Sequence, residues 1–62
     1  MFFKIEVSKS PRPKAGYETR YGTENETQAR LLYKGINVGL GYKKRLVAID
    51  GRKRTILARE AS

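Results

Sequence analysis

Residues 41–54, GYKKRLVAIDGRKR, set two triple-basic runs on either side of a short apolar stretch and a turn signal. Lysine is an adaptable point charge, whereas the planar guanidinium of arginine forks onto phosphates or guanine edges. Lys43, Lys44, Arg45, Arg52, Lys53 and Arg54 are therefore candidate phosphate-binding residues, with Arg12 and Lys14 of the KSPRPKAG segment beside them. Tyrosines follow or precede bases at Arg20-Tyr21, Tyr33-Lys34 and Tyr42-Lys43. A ring in such a setting can stack on an unpaired base, worth about 1–3 kcal/mol, next to charge that holds the backbone. Tyr42 is the tyrosine expected at the surface; Tyr33 fits a core, and Tyr17 and Tyr21 a sheet covering.

Other chemistry is poorly served. The chain has no His and no Cys, which removes the usual acid/base, thiol and structural-zinc devices. Ser8, Ser10 and Ser62 have no base that the sequence assigns to them. Glu24, Glu26 and Asp50 are the only plausible carboxylates for Mg²⁺, but Glu24 and Glu26, two apart, point in different directions on a helix and suit its first turn better. The glycines of GINVGLG match neither GxGxxG nor a phosphate-loop pattern. These absences predict a non-enzymatic protein with no cofactor or metal. The residue types that remain also allow a metal-independent ribonuclease, in which Tyr, Arg and Lys orient and stabilise a cleaved phosphate.

The charge supports a polyanionic partner. Fourteen Lys and Arg against six acids leave +8 on 62 residues. Such a charge repels itself in a compact chain, and a nucleic acid accounts for it better than solubility does. Residues 43–62 carry seven bases against Asp50 and Glu60, a net of +5; residues 1–42 carry the remaining +3. An acidic patch on a larger enzyme would satisfy the same field. In that alternative the chain is a compact inhibitor or assembly factor, with Tyr42 or Leu40 as its anchor.

The elements that must position these residues follow from periodicity. FFKIEVS alternates Phe3, Ile5 and Val7 with Lys4, Glu6 and Ser8, the period of a half-buried strand. Two prolines and Gly16 make KSPRPKAG an extended basic loop, and YETRY alternates again, so the two strands form an antiparallel hairpin. In TENETQARLLYKG, Thr23 and Glu26 have capping-box spacing, which predicts a helix from about Glu24 that stops at a left-handed Gly35. Ala29, Leu32 and Tyr33 share its apolar face. Residues 36–42 alternate Ile36, Val38, Leu40 and Tyr42 with a nearly bare second face, and read as a flexible strand or a structured loop.

KRLVAID and RTILARE flank a turn containing Asp50 and Gly51 and form a second hairpin. A four-residue loop, Asp50 to Lys53, pairs Val47 with Ile56 and Leu46 with Leu57, and sets the two basic runs roughly 13 Å apart as a stripe. Such a stripe is long enough to meet two or three phosphates of one strand. The competing assignment, a helix over 55–61, is short without a docking partner.

The order ββαββ predicts one small α+β domain over 1–62: an antiparallel sheet of three to four strands packed against one α-helix. The helix is expected to bury Ala29, Leu32 and Tyr33 against Phe3, Ile5, Val7, Val47, Ile49 and Ile56. A chain of this size buries only about 60% of its unfolded surface, and pairing of sheet edges makes a homodimer a candidate assembly. MFFKIEVSK is too short for a signal peptide and no apolar run approaches the roughly 20 residues of a membrane span. With no Cys, the expected setting is the cytoplasm.

Overall fold

The computed structural model describes residues 1–61. Strands β1 (Phe2–Ser8) and β2 (Tyr17–Thr23) precede helix α1 (Glu26–Gly35), and β3 (Lys43–Asp50) and β4 (Lys53–Ala61) follow it. All pairings are antiparallel, in the order β2-β1-β3-β4. This is the small α+β arrangement that the ββαββ pattern predicts, with residues 53–61 as strand throughout. Among the described residues no helix is long and apolar enough to cross a membrane.

Alternation puts Phe3 and Ile5 of β1 on the face that α1 covers, and pairing with β1 selects the matching residues of β3. Phe3 lies opposite Ala48 and Ile5 opposite Leu46. These four form the core with Ala29 and Tyr33 of the helix, and Leu32, Ile36 and Ala58 pack at its margin. Val47, Ile49 and Ile56 therefore do not meet the helix as expected. They have the other parity and belong to the sheet face that no helix covers, where Val47 is nonetheless fully buried by its neighbours.

The β3–β4 hairpin has the expected pairing of Val47 with Ile56, but its loop is shorter. Asp50 pairs with Lys53, leaving only Gly51 and Arg52 in the turn. Gly51 has φ +61° and among the described residues no non-glycine residue has positive φ, the φ signs of a type II′ turn with glycine first. Beyond Val47 a bulge shifts the register, so Leu46 faces Ala58 rather than Leu57.

The helix begins two residues later than capping-box spacing suggested. Thr23 is still paired with Phe3 as the last residue of β2, so Asn25 becomes the N-cap and accepts from the Gln28 amide at 3.0 Å. Thr23 buttresses this end, accepting from the Asn25 amide and donating to the Gln28 side chain. At the other end Gly35 is not left-handed. The chain leaves through an extended Ile36, whose amide donates to the Leu32 carbonyl.

Residues 36–42 form no strand. Their glycine-rich face has nothing to pack, and the segment closes as a turn in which the Tyr42 amide donates to the Gly39 carbonyl. Gly41 has φ +85°, and a Cβ there would lie 2.8 Å from Pro11 Cβ. The two loops thus meet at the end of the sheet where β1 finishes and β3 starts.

Candidate nucleic-acid interface

Pairing and alternation assign the bases of the sheet to its two faces, except Arg20, which sits at the β1–β2 bulge without a partner. On the face opposite α1, β1 presents Phe2, Lys4, Glu6 and Ser8; β3 presents Lys43, Arg45, Val47 and Ile49; and β4 presents Arg54, Ile56 and Arg59. Tyr17 joins them from β2, opposite Ser8. Five bases thus share this open face with one carboxylate, a net of +4. The helix side of the same sheet holds Lys44 and Lys53 against Glu18, Asp50 and Glu60, a net of −1 before Arg20 of the bulge, 3.7 Å from Glu18, is counted.

The centre of the open face is a four-residue cluster drawn from all four strands. Glu6 is buried, 7% exposed. Its Oε1 accepts from Nε of Arg45, directly opposite on β3, at 2.7 Å. The same oxygen accepts from Nη2 of Arg54 on β4. Arg45 also lies over the Tyr17 ring, its guanidinium carbon 3.8 Å from the centroid, a cation–π contact in which the ring face attracts the cation. Burial pushes the Glu6 carboxyl up, but the hydrogen bonds and charges of Arg45 and Arg54 together outweigh it and hold the group below the usual carboxylate range. Arg45 also faces Arg59 directly across the β3–β4 pair. Like charges in that position repel, which Glu6 offsets only in part.

The candidate bases therefore separate. Lys43, Arg45 and Arg54 are together on the open face. Arg12 and Lys14 project from the exposed loop after β1, at the end of the sheet shared with Tyr17 and Lys43. That loop is closed by the Lys9 amide on the Gly16 carbonyl. Arg52 and Lys53 sit at the opposite end, at the hairpin tip.

Lys44 is a correction. It is only 7% exposed, because it has the parity of Leu46 and Ala48 and points under the helix. Its ammonium donates to the carbonyls of Tyr33 at 2.7 Å and Ile36 at 3.0 Å, lies 4.6 Å from the Tyr33 ring centroid and 3.9 Å from the Glu60 carboxylate. It caps the helix C-terminus and is unavailable to a ligand. Tyr42 is less exposed than expected. It is half-buried, held in its turn against the Gly39 backbone, where a Cβ would come within 3.2 Å of the ring. Tyr17 is the ring beside the bases of the open face, and Leu40, 90% exposed, is the outermost residue of that turn.

Glu6 and Tyr17 are the members of the open-face cluster that sequence reasoning missed. The available signal was parity: an acid in the alternating polar row of β1 must stand among the polar residues of whichever strand pairs with it. The serine hydroxyls near this end have structural partners, Ser8 accepting from the Lys43 amide and Ser10 from the Arg12 amide; Ser62 lies outside the described residues. Glu24, Glu26 and Asp50 do not gather, and among the described residues no group of three acidic side chains is placed to hold a metal ion. Comparison with protein-family models, with curated proteins and with solved structures finds no match for this chain.

Proposed function

We propose that this chain is a small non-enzymatic nucleic-acid-binding protein whose open sheet face takes a single strand. The observation that supports this most is the concentration of charge: five bases around one carboxylate, with Tyr17 at one end of the face and the partly exposed Phe2 at the other. A face of four strands about 4.8 Å apart is roughly 14 Å wide, and the helix that could enter a duplex groove is packed on the opposite side. The exposed side of α1 carries Glu26 paired with Arg30, so it offers no basic stripe to a groove. An open, basic, partly aromatic surface suits unpaired bases and an accessible backbone. The basic β3–β4 hairpin supplies Lys43, Arg45, Arg54 and Arg59, and the proline-containing loop extends the phosphate grip through Arg12 and Lys14.

Fluorescence anisotropy of labelled single-stranded and duplex DNA and RNA at two salt concentrations tests this reading. The expected result is micromolar or tighter binding to single strands, weakening with salt by about 0.7 log units per log unit of salt for each phosphate contacted. Equal or better binding to duplexes would remove the single-strand assignment. Absence of binding at both salts would remove the nucleic-acid reading.

The second reading, a module docking on an acidic protein surface, draws on Leu40, exposed at the apex of its turn beside the basic end of the sheet. It requires a stoichiometric protein partner that survives nuclease treatment and is lost on Leu40→Asp.

A further inference from the structure

Two long cationic side chains from different strands converge on one carboxylate oxygen. Arg45 and Arg54 are separated from Glu6 by 39 and 48 residues in the chain, yet both donate to its Oε1. Glu6 lies at the floor of the open face, whereas the side chain of Arg45 is 24% exposed and that of Arg54 44%. The guanidiniums are thus above the carboxylate, tethered by it and facing solvent. Arg45 spends only its Nε hydrogen on Glu6, and among the described residues its two Nη groups have no hydrogen-bond partner. Its plane is fixed a second time by the Tyr17 ring beneath it.

We propose that Arg45 and Arg54 form a fork for a single phosphodiester, and that Glu6 is the positioning residue that holds both guanidiniums ready for it. Two guanidiniums that meet at one oxygen of Glu6 stand close together, so that their remaining N–H groups, on the solvent side, can reach one anion. The free Nη hydrogens of Arg45 offer bidentate geometry to phosphate oxygens, which lysine does not reproduce. Tethering removes beforehand much of the rotamer freedom that a long side chain otherwise loses on binding. The charge balance permits an anion to be added without expelling Glu6, since two guanidiniums against one carboxylate leave +1 at the cluster. This inference rests on the reading of the open face as a nucleic-acid surface and names its central contact.

Simple electrostatics and positioning give opposite expectations for Glu6→Gln. Removal of an acid from a basic face should strengthen polyanion binding if only charge matters. It should weaken binding if Glu6 acts by holding the arginines, because a neutral amide tethers two guanidiniums less well. The experiment follows the side-chain Nε–H resonances of Arg45 and Arg54 by NMR while wild-type, Glu6→Gln and Arg45→Lys proteins are titrated with a twelve-residue oligothymidylate and, separately, with inorganic phosphate.

The expected result is that both arginine resonances move together with either ligand. Glu6→Gln and Arg45→Lys should each raise Kd for the oligonucleotide about tenfold, although the first increases net charge and the second preserves it. Unchanged or tighter binding by Glu6→Gln overturns the positioning role. If Glu6→Gln is unfolded at the assay temperature, Arg45→Lys decides, and wild-type affinity in that variant overturns the fork. Oligonucleotide binding without movement of the arginine resonances removes the fork and leaves the nucleic-acid reading. Arginine shifts with phosphate that are lost in Glu6→Gln, without oligonucleotide binding by wild type, leave the fork and remove the nucleic-acid reading.

Discussion

Lys44 and its neighbour Lys43 are the same residue type one position apart, and they do unrelated work. Lys43 stands on the open face, while the ammonium of Lys44 serves the last carbonyls of α1, groups that a helix leaves without intrahelical partners. Charge-assisted hydrogen bonds of this kind contribute about 1.5–3 kcal/mol each, and their loss inside the protein exposes the desolvation cost of the carbonyls. Lys44→Met, which keeps the apolar stem and removes the donors, is expected to lower stability by about 2–3 kcal/mol. Urea unfolding measures this, and a change under about 0.5 kcal/mol would mean that the carbonyls find other partners. Under folding conditions the variant should retain nucleic-acid affinity, which separates it from changes at Lys43. The two lysines could have been told apart in the sequence by one feature: Lys44, Leu46 and Ala48 share parity, so a core assignment for Leu46 carries Lys44 with it. The basic run obscures that signal, because charge summed along the chain does not show which side of the strand each base takes.

The elements themselves were set by local chemistry, and their ends were adjusted by neighbours. Alternation identified β1 and β2, and the apolar spacing of Ala29, Leu32 and Tyr33 identified α1, because both patterns depend on residues a few positions apart. The helix start moved from the Thr23 cap to Asn25 because Thr23 was claimed by its pairing with Phe3. The helix end needed no left-handed glycine because a lysine from β3 supplies the cap. Residues 36–42 alternate as a strand would, but half of that pattern is glycine and asparagine, and the Gly39–Tyr42 turn was the better use of it. At the β3–β4 turn, Gly51 occupies φ +61°, where a β-branched side chain is strained by roughly 1–2 kcal/mol. Gly51→Val is therefore expected to destabilise the protein by about that amount, and Gly51→Asn by less, since asparagine tolerates this region better. Thermal unfolding of the two variants checks the order. Equal melting temperatures would show that the turn does not hold glycine for its backbone freedom.

At the scale of the whole molecule the decisive property is that charge is sorted by face. A sequence count places the excess of bases in the C-terminal third, but the fold distributes that third over two sheet faces and a hairpin tip. Net charge and surface arrangement can be separated by comparing two double variants. Lys43→Gln with Arg59→Gln and Arg52→Gln with Lys53→Gln each remove two positive charges. Were net charge alone responsible, both would weaken single-strand binding equally. With the open face as the interface, the first pair should raise Kd at least fivefold more than the second at the same salt, and should also reduce the salt slope further. Equal losses would return the hairpin tip to the interface.

The sequence by itself determined the order of elements, the amphipathic helix, the size of the charge and the lack of thiol and imidazole chemistry. Those follow from composition and from interactions only a few residues long. Only the tertiary structure decided which bases stand together. KRLVAID is apolar at both parities, with Leu46 and Ala48 on one side and Val47 and Ile49 on the other, so either face could have met the helix. The choice was made by pairing with β1, whose Phe3 and Ile5 already faced α1. That one register put Lys44 under the helix, placed Arg45 and Arg54 on Glu6, and left five bases on the face opposite the helix, through contacts between residues too distant in the chain for any local pattern to record.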